Sequence, residues 1–183
     1  MSFCLSFLAS RPEVQEKIVE EYKRVKGEKD SIEFEDVKEL VYTQSVFKET
    51  LRLMPPVVEI PKKAVEDTQL GDYFIPKGTY ISIDTPNLHR NPKYWKEPEK
   101  FDPERWTRDE IFPNSFAAFS IGSRSCIGMN VAQVEGAIIL ALLVTKYKLS
   151  QPEGGKDPSL DECATFLTTT PLKPIKVKFE RKY

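Results

Sequence analysis

A mainly helical fold carrying small β hairpins, of the α+β class, is what the sequence predicts. Three observations carry that expectation. Apolar residues recur at helical spacing through the first fifty residues and again after Gly128. Between them, residues 57–84 alternate β-branched and aromatic side chains with polar ones, around the turn signals Gly71-Asp72 and Pro76-Lys77-Gly78. The stretch 87–119 is rich in proline, charge and aromatic residues without a period, and reads as a long ordered irregular segment of the kind that is usually functional.

In chain order, residues 2–9 read as the tail of a helix. Ser10 followed by Glu13 predicts a capping box with Pro12 in the first turn, and Val14, Ile18, Tyr22 and Val25 then form a stripe that Gly27 stops. Phe34, Val37 and Leu40 mark a short, weaker helical stripe. A third helix spans 42–53 and must end at Pro55-Pro56, because the residue before a proline avoids helical angles. The apolar run 137–144 lies in a long helix from about Gly128 to Tyr147 that should be buried on most sides. Residues 166–179 alternate around Pro171 and Pro174 and suggest a last hairpin. The resulting organisation is a single unit: helices over 1–54, hairpins over 55–86, the irregular segment with a cysteine loop over 87–127, the long helix over 128–148 and a terminal hairpin over 149–183.

Composition excludes several classes. A net charge of −1 with 30% charged residues of both signs gives no field for nucleic acid and no polybasic membrane patch. The eight-residue apolar run is far short of the roughly 20 residues that span a bilayer, so no membrane segment is expected. The three cysteines, Cys4, Cys126 and Cys163, are odd in number and widely spaced, which argues against a disulfide framework and for a reducing compartment. His89, the only histidine, cannot anchor a zinc site of familiar Cys/His spacing.

The residues 119–128 carry the chemistry, with Phe119, Gly122, Arg124, Cys126 and Gly128 set as F-x-x-G-x-R-x-C-x-G. A cysteine between glycines, behind a fixed positive charge and ahead of a helix, suits a thiolate ligand to iron, because a metal and nearby donors lower the thiol pKa. The plain alternative is a small buried apolar side chain. Glu49 and Arg52 lie three apart on one helical face, and Pro103-Glu104-Arg105 precedes Trp106 in the irregular segment. Together these motifs resemble the cytochrome P450 family, its C-terminal, haem-proximal part only, over nearly the whole chain.

That resemblance implies a haem-thiolate monooxygenase with haem b as cofactor, Cys126 as axial iron ligand and catalytic thiolate, and Phe119, Gly122, Arg124 and Gly128 around the haem. It implies a structural triad of Glu49, Arg52 and Arg105 that fixes the cysteine loop. Trp106 stands where phenylalanine is more usual. Lys62 matches a propionate-contacting arginine and keeps its charge while losing the fork; His89 is a structural hydrogen-bonding residue rather than an iron ligand. Residues 57–60 and 167–169 correspond to substrate-lining segments for a small apolar molecule. An NADPH-dependent flavoprotein reductase or other redox partner would dock near Lys96, Lys100 and Arg124, and a full-length protein with an N-terminal anchor would sit on the cytoplasmic side of the endoplasmic reticulum. The family's distal oxygen-handling helix has no match here. The alternative is therefore a truncated, non-catalytic haem-binding or interaction protein, with an open apolar face.

Overall fold

The computed structural model describes residues 1–108 and 111–182; Asp109 and Glu110 of the irregular segment and the last residue, Tyr183, lie outside the described residues. Helix α1 (Ser2–Ala9) runs into α2 (Pro12–Lys26), a 3-10 turn covers Phe34–Glu39, and α3 (Val41–Leu53) ends at the double proline. Four short strands follow: β1 (Glu59–Lys63), β2 (Thr68–Leu70), β3 (Tyr73–Ile75) and β4 (Tyr80–Asp84). β2 and β3 form an inner antiparallel hairpin and β1 pairs with β4 around it. The inner turn needs Gly71, whose φ of +58° is open to glycine and strained for other residues.

The irregular segment holds a one-and-a-half-turn helix, α4 (Thr85–Arg90), and a 3-10 turn at Pro103–Trp106 before the cysteine loop leads into α5 (Met129–Lys146). Three sequence expectations are corrected here. Arg11, not Ser10, occupies the N-cap of α2 and no side chain caps it. The Ser10 hydroxyl instead points at the Phe7 carbonyl and at Asp157, whose carboxylate pairs with Arg11 at 2.6 Å. The stripe from Phe34 to Leu40 is a 3-10 turn in which Val37 and Leu40 are buried while Phe34 is 71% exposed.

The terminal hairpin, third, is two separate pairings. β6 (Cys163–Thr165) pairs with β7 (Thr169–Pro171), and β8 (Lys178–Arg181) returns to β5 (Tyr147–Ser150) at the end of α5. Pro171 still pairs within β7 and the Leu172 amide donates to the Glu162 carbonyl at 2.8 Å, whereas Pro174, between β7 and β8, offers no N–H to a ladder.

The core lies where α5 packs across α2 and α3, with Ile18, Val46, Phe47, Leu140, Ala141 and Val144 among its buried residues. Glu21 reaches from α2 to cap α3: its carboxylate accepts from the Tyr42 and Thr43 amides at 2.7 and 2.9 Å and from the Thr43 hydroxyl at 2.8 Å. This borrowed cap replaces one that α3 lacks in its own sequence. α5 is 18 residues long with a mean hydropathy of 1.4, so by length and composition it could cross a membrane, more than its eight-residue run suggested. Its inner side, Gly136, Ala137, Leu140, Ala141 and Val144, is occupied as in a core helix. The opposite side is open, as the expected open apolar face requires, with Val131, Ile139 and Leu142 exposed.

At Gly136, α5 lies close against Phe47 of α3. A Cβ there would stand 2.9 Å from three ring atoms of Phe47, which is itself buried. Gly136→Ala would gain about 1 kcal/mol of helix propensity, but overpacking a rigid aromatic neighbour costs roughly 1–3 kcal/mol. The clash is expected to win, lowering the urea midpoint; a raised midpoint would show that Phe47 can give way.

Candidate cofactor site and its anchoring cluster

Helix α3 turns one face toward the irregular segment, and the polar residues on it are fully buried. Glu49 and Arg52, both 0% exposed, meet in a bidentate pair, Arg52 Nε to Oε2 at 2.9 Å and Nη2 to Oε1 at 2.9 Å. Arg105, brought in by the 3-10 turn at Pro103–Trp106, donates Nε to Glu49 Oε1 at 3.0 Å. The Asp102 amide adds a bond to Oε1 at 3.0 Å and the Trp106 indole N–H one to Oε2 at 3.1 Å. Five donors therefore converge on one carboxylate. The remaining Arg52 donors reach the carbonyls of His89, Pro98 and Lys100, and those of Arg105 reach Lys96, Glu97 and Lys100. Both guanidiniums also lie over the Trp95 ring, at 5.0 and 5.9 Å. A buried charge cluster persists only when its donors and acceptors are satisfied like this.

His89 extends the cluster toward the cysteine loop. It is completely buried between Arg52 and Ala117, its ring stacked 5.1 Å from Phe116 and edge-on to Trp95 at 6.5 Å. The Ala117 amide donates to Nε2 at 2.8 Å, so Nε2 must be the bare nitrogen; Nδ1 then carries the proton and donates to the Arg52 carbonyl at 3.1 Å. Burial, aided by the nearby positive charges of Arg52 and Arg90 against the favourable Arg52 carbonyl bond, lowers its pKa from 6.5 to about 4. The ring is neutral at physiological pH.

Beyond Ala117 the backbone folds back on itself. The Ser120 amide donates to the Ala117 carbonyl at 2.9 Å, the Cys126 amide to the Phe119 carbonyl at 2.8 Å and the Ser125 amide to the Gly122 carbonyl at 3.0 Å. Gly122, at φ +84°, makes the left-handed turn that only glycine takes freely, and Ser120 is held at φ +61°. Lys62, half-buried on β1, reaches to 3.5 Å from the Ser120 hydroxyl, so the first hairpin strand meets the loop at that point. Arg124 is exposed, forms no ion pair among the described residues and is not joined to Lys62. Phe119 packs half-buried against the core.

Cys126 itself is exposed at the end of this loop, three residues before the first residue of α5, which argues against the plain alternative of a buried apolar side chain. A Cβ at Gly128 would stand 3.8 Å from its sulfur, in ordinary contact. Ile121, Ile127 and Val131 beside it are also exposed. Among the described residues no group of three or more His, Cys, Asp or Glu side chains could hold a metal ion. A bare ion would thus find one protein ligand here, whereas an iron already held by four macrocycle nitrogens needs one soft axial donor. A lone exposed thiol, with exposed apolar residues next to it in sequence and Lys62 meeting the same loop at Ser120, fits haem.

One of the two segments expected to line a substrate is tied to the double proline just before the other. Thr169, at the start of β7, donates its amide to the Pro56 carbonyl and its hydroxyl to the Pro55 carbonyl, each at 2.7 Å. That ties the β6–β7 tip, with Phe166 and Leu167 fully or largely exposed, to the turn before Val57. The lysines expected at a partner surface, Lys96 and Lys100, are exposed, and Lys100 pairs with Glu97. Two features escaped sequence reasoning: the indole bond from Trp106 to Glu49, and the two-sided use of His89. The tryptophan's departure from the usual phenylalanine was a signal for the first. A lone histidine gives none for the second.

The sequence matches the cytochrome P450 family model over residues 1–179. It is 38% identical to cheilanthifoline synthase of Argemone mexicana across 93% of this chain and 37% of that protein. It is 38% identical to the probable cytochrome P450 4s3 of Drosophila melanogaster across 90% of this chain and 32% of that protein. With human cytochrome P450 3A5 the identity is 33% across 100% of this chain and 36% of that protein. The chain spans about a third of the length of the curated relatives it matches.

Proposed function

The chain belongs to the cytochrome P450 family of haem oxidoreductases, and from that premise we propose that it is the haem-proximal part of a haem-thiolate monooxygenase. The reaction would insert one atom of dioxygen into a small apolar substrate and release the other as water, with electrons from an NADPH-dependent flavoprotein reductase or a similar partner. The single observation that carries the reading is the exposed Cys126 thiol, presented at the start of α5 by a loop whose own backbone bonds fix its amide.

Haem bound there would supply the redox and dioxygen chemistry; the residues of this chain would supply the setting. Cys126 would be the axial thiolate, aided by the positive end of α5. Lys62 and Arg124 would face the propionates as cations, Lys62 as a point charge and Arg124 as a fork. Phe119, Gly122 and Gly128 would shape the space under the macrocycle. Glu49, Arg52 and Arg105 would hold the segment that presents the loop. Residues 57–60 and 167–169 would touch the substrate, and the exposed lysines near Lys96 and Lys100 would meet an acidic partner. The remaining two thirds of the relatives' length would cover Val131, Ile139 and Leu142 on the open side of α5 and would bring the proton-delivering groups.

The test is spectroscopic. The haem-loaded full-length protein, reduced and exposed to carbon monoxide, should show the red-shifted Soret band of a thiolate-ligated iron, and Cys126→Ala should abolish it. A variant spectrum identical to that of the parent would overturn the ligand assignment.

A further inference from the structure

His89 is neither among the residues placed around the cofactor nor a member of the ion cluster. It touches neither the loop cysteine nor the carboxylate of the cluster, yet it is completely buried and both ring nitrogens are engaged. Its two partners belong to the two bodies that must be joined. Arg52, whose carbonyl accepts from Nδ1, is clamped on Glu49. Ala117, whose amide donates to Nε2, opens the short chain of bonds through Ser120 and Phe119 that ends on the Cys126 amide. No other side chain bonds to the main chain on both sides of that gap among the described residues.

We propose that His89 is the positioning residue that transmits the order of the Glu49–Arg52–Arg105 cluster to the cysteine loop, by holding Ala117 through the unprotonated Nε2 of a single tautomer. This rests on the haem-thiolate reading for its consequence and on geometry alone for the lock. The two contacts are not equivalent. A donor toward Arg52 fixes only the ring, because the Arg52 carbonyl is already inside a rigid helix end. The acceptor toward Ala117 is what reaches the loop, and without it a buried amide would be left without a partner.

Two isosteric substitutions separate the contacts. In His89→Asn the amide NH2 falls near the position of Nδ1 and can still donate to Arg52, while Ala117 loses its acceptor. In His89→Gln the longer amide can place its oxygen where Nε2 sits and accept from Ala117. Amide hydrogen exchange of the haem-free full-length protein reads the lock directly. His89→Asn should raise exchange at Ala117, Ser120 and Cys126 by tenfold or more while Leu140 and Val144 in α5 keep their protection, and His89→Gln should leave the loop near the parent level.

In the haem-loaded protein, His89→Asn should shift part of the reduced carbon monoxide Soret band to the shorter wavelength of a neutral-thiol or unligated iron, and His89→Gln should restore it. Equal loop protection in the two variants would overturn the proposal, and so would failure of both to fold, which would make His89 a packing residue only. If the parent itself lacks the thiolate band while the exchange pattern holds, the haem-thiolate reading fails and the lock stands.

Discussion

Glu49→Ala is expected to cost about 3–5 kcal/mol of stability, because it leaves two guanidiniums charged in a site that excludes water. Arg52 and Arg105 are 0% and 2% exposed, and neither can shed its proton. Removing the carboxylate also orphans the Asp102 amide and the Trp106 indole N–H, whose bonds end on the same two oxygens. The Arg105→Ala variant should lose a similar amount from the other side, since Glu49 would keep Arg52 but lose the link to the irregular segment. Contrast the exposed pair Lys100–Glu97, with both side chains 57% exposed: such pairs contribute about 0–1 kcal/mol, and breaking it should be nearly silent. Urea denaturation separates the cases. A loss below about 1 kcal/mol for Glu49→Ala would mean that water enters the cluster on truncation. Haem-loaded protein should also fail to accumulate for Arg105→Ala, and normal haem content would count against the cluster as the anchor of the loop.

How much of this was legible beforehand differs between helices, strands and site. α2, α3 and α5 announce themselves because each carries an amphipathic or continuous apolar signal longer than two turns, and because Gly27, Pro55 and Gly128 punctuate them. The terminal strands do not, since β8 finds its partner β5 some thirty residues earlier, and no local pattern encodes a long-range pairing. The capping box at Ser10 fails for a related reason: Asp157, far along the chain, takes the hydroxyl and leaves Arg11 at the cap.

At the site, Glu49, Arg52, Arg105 and Cys126 were named from motifs, and the structure brings the first three into one ion cluster. The carbonyls of Pro98 and Lys100 that complete Arg52 could not be foreseen, because backbone acceptors carry no sequence signal. Lys62 illustrates the middle ground. The family resemblance placed it, but only the structure shows that its side chain reaches to 3.5 Å from the Ser120 hydroxyl.

Acid should weaken the fold as pH falls from 6.5 toward 4, and His89 is the reason. Its folded pKa is depressed to about 4 while the unfolded chain has the ordinary 6.5, so between those values the unfolded state binds a proton that the folded state refuses. Stability from the neutral ring is fully present above pH 6.5 and is lost as pH falls toward 4, roughly 3 kcal/mol across the whole window and about 2 kcal/mol at pH 5. The charged groups facing the ring, Arg52 and Arg90, stay protonated throughout, so they cannot offset the loss. Asp102 and Asp157 act in a different range. Burial opposes their charged forms, but Arg108 and Arg11 outweigh it and hold both below the usual carboxylate value, so their contributions vanish only below about pH 3.8. The two windows therefore separate. Urea unfolding at pH 7 and pH 5 should differ by about 2 kcal/mol in the parent and by far less in His89→Gln, which has nothing to titrate there. A parent whose stability is flat over that interval would contradict the buried neutral imidazole, since an exposed or already protonated ring imposes no such slope.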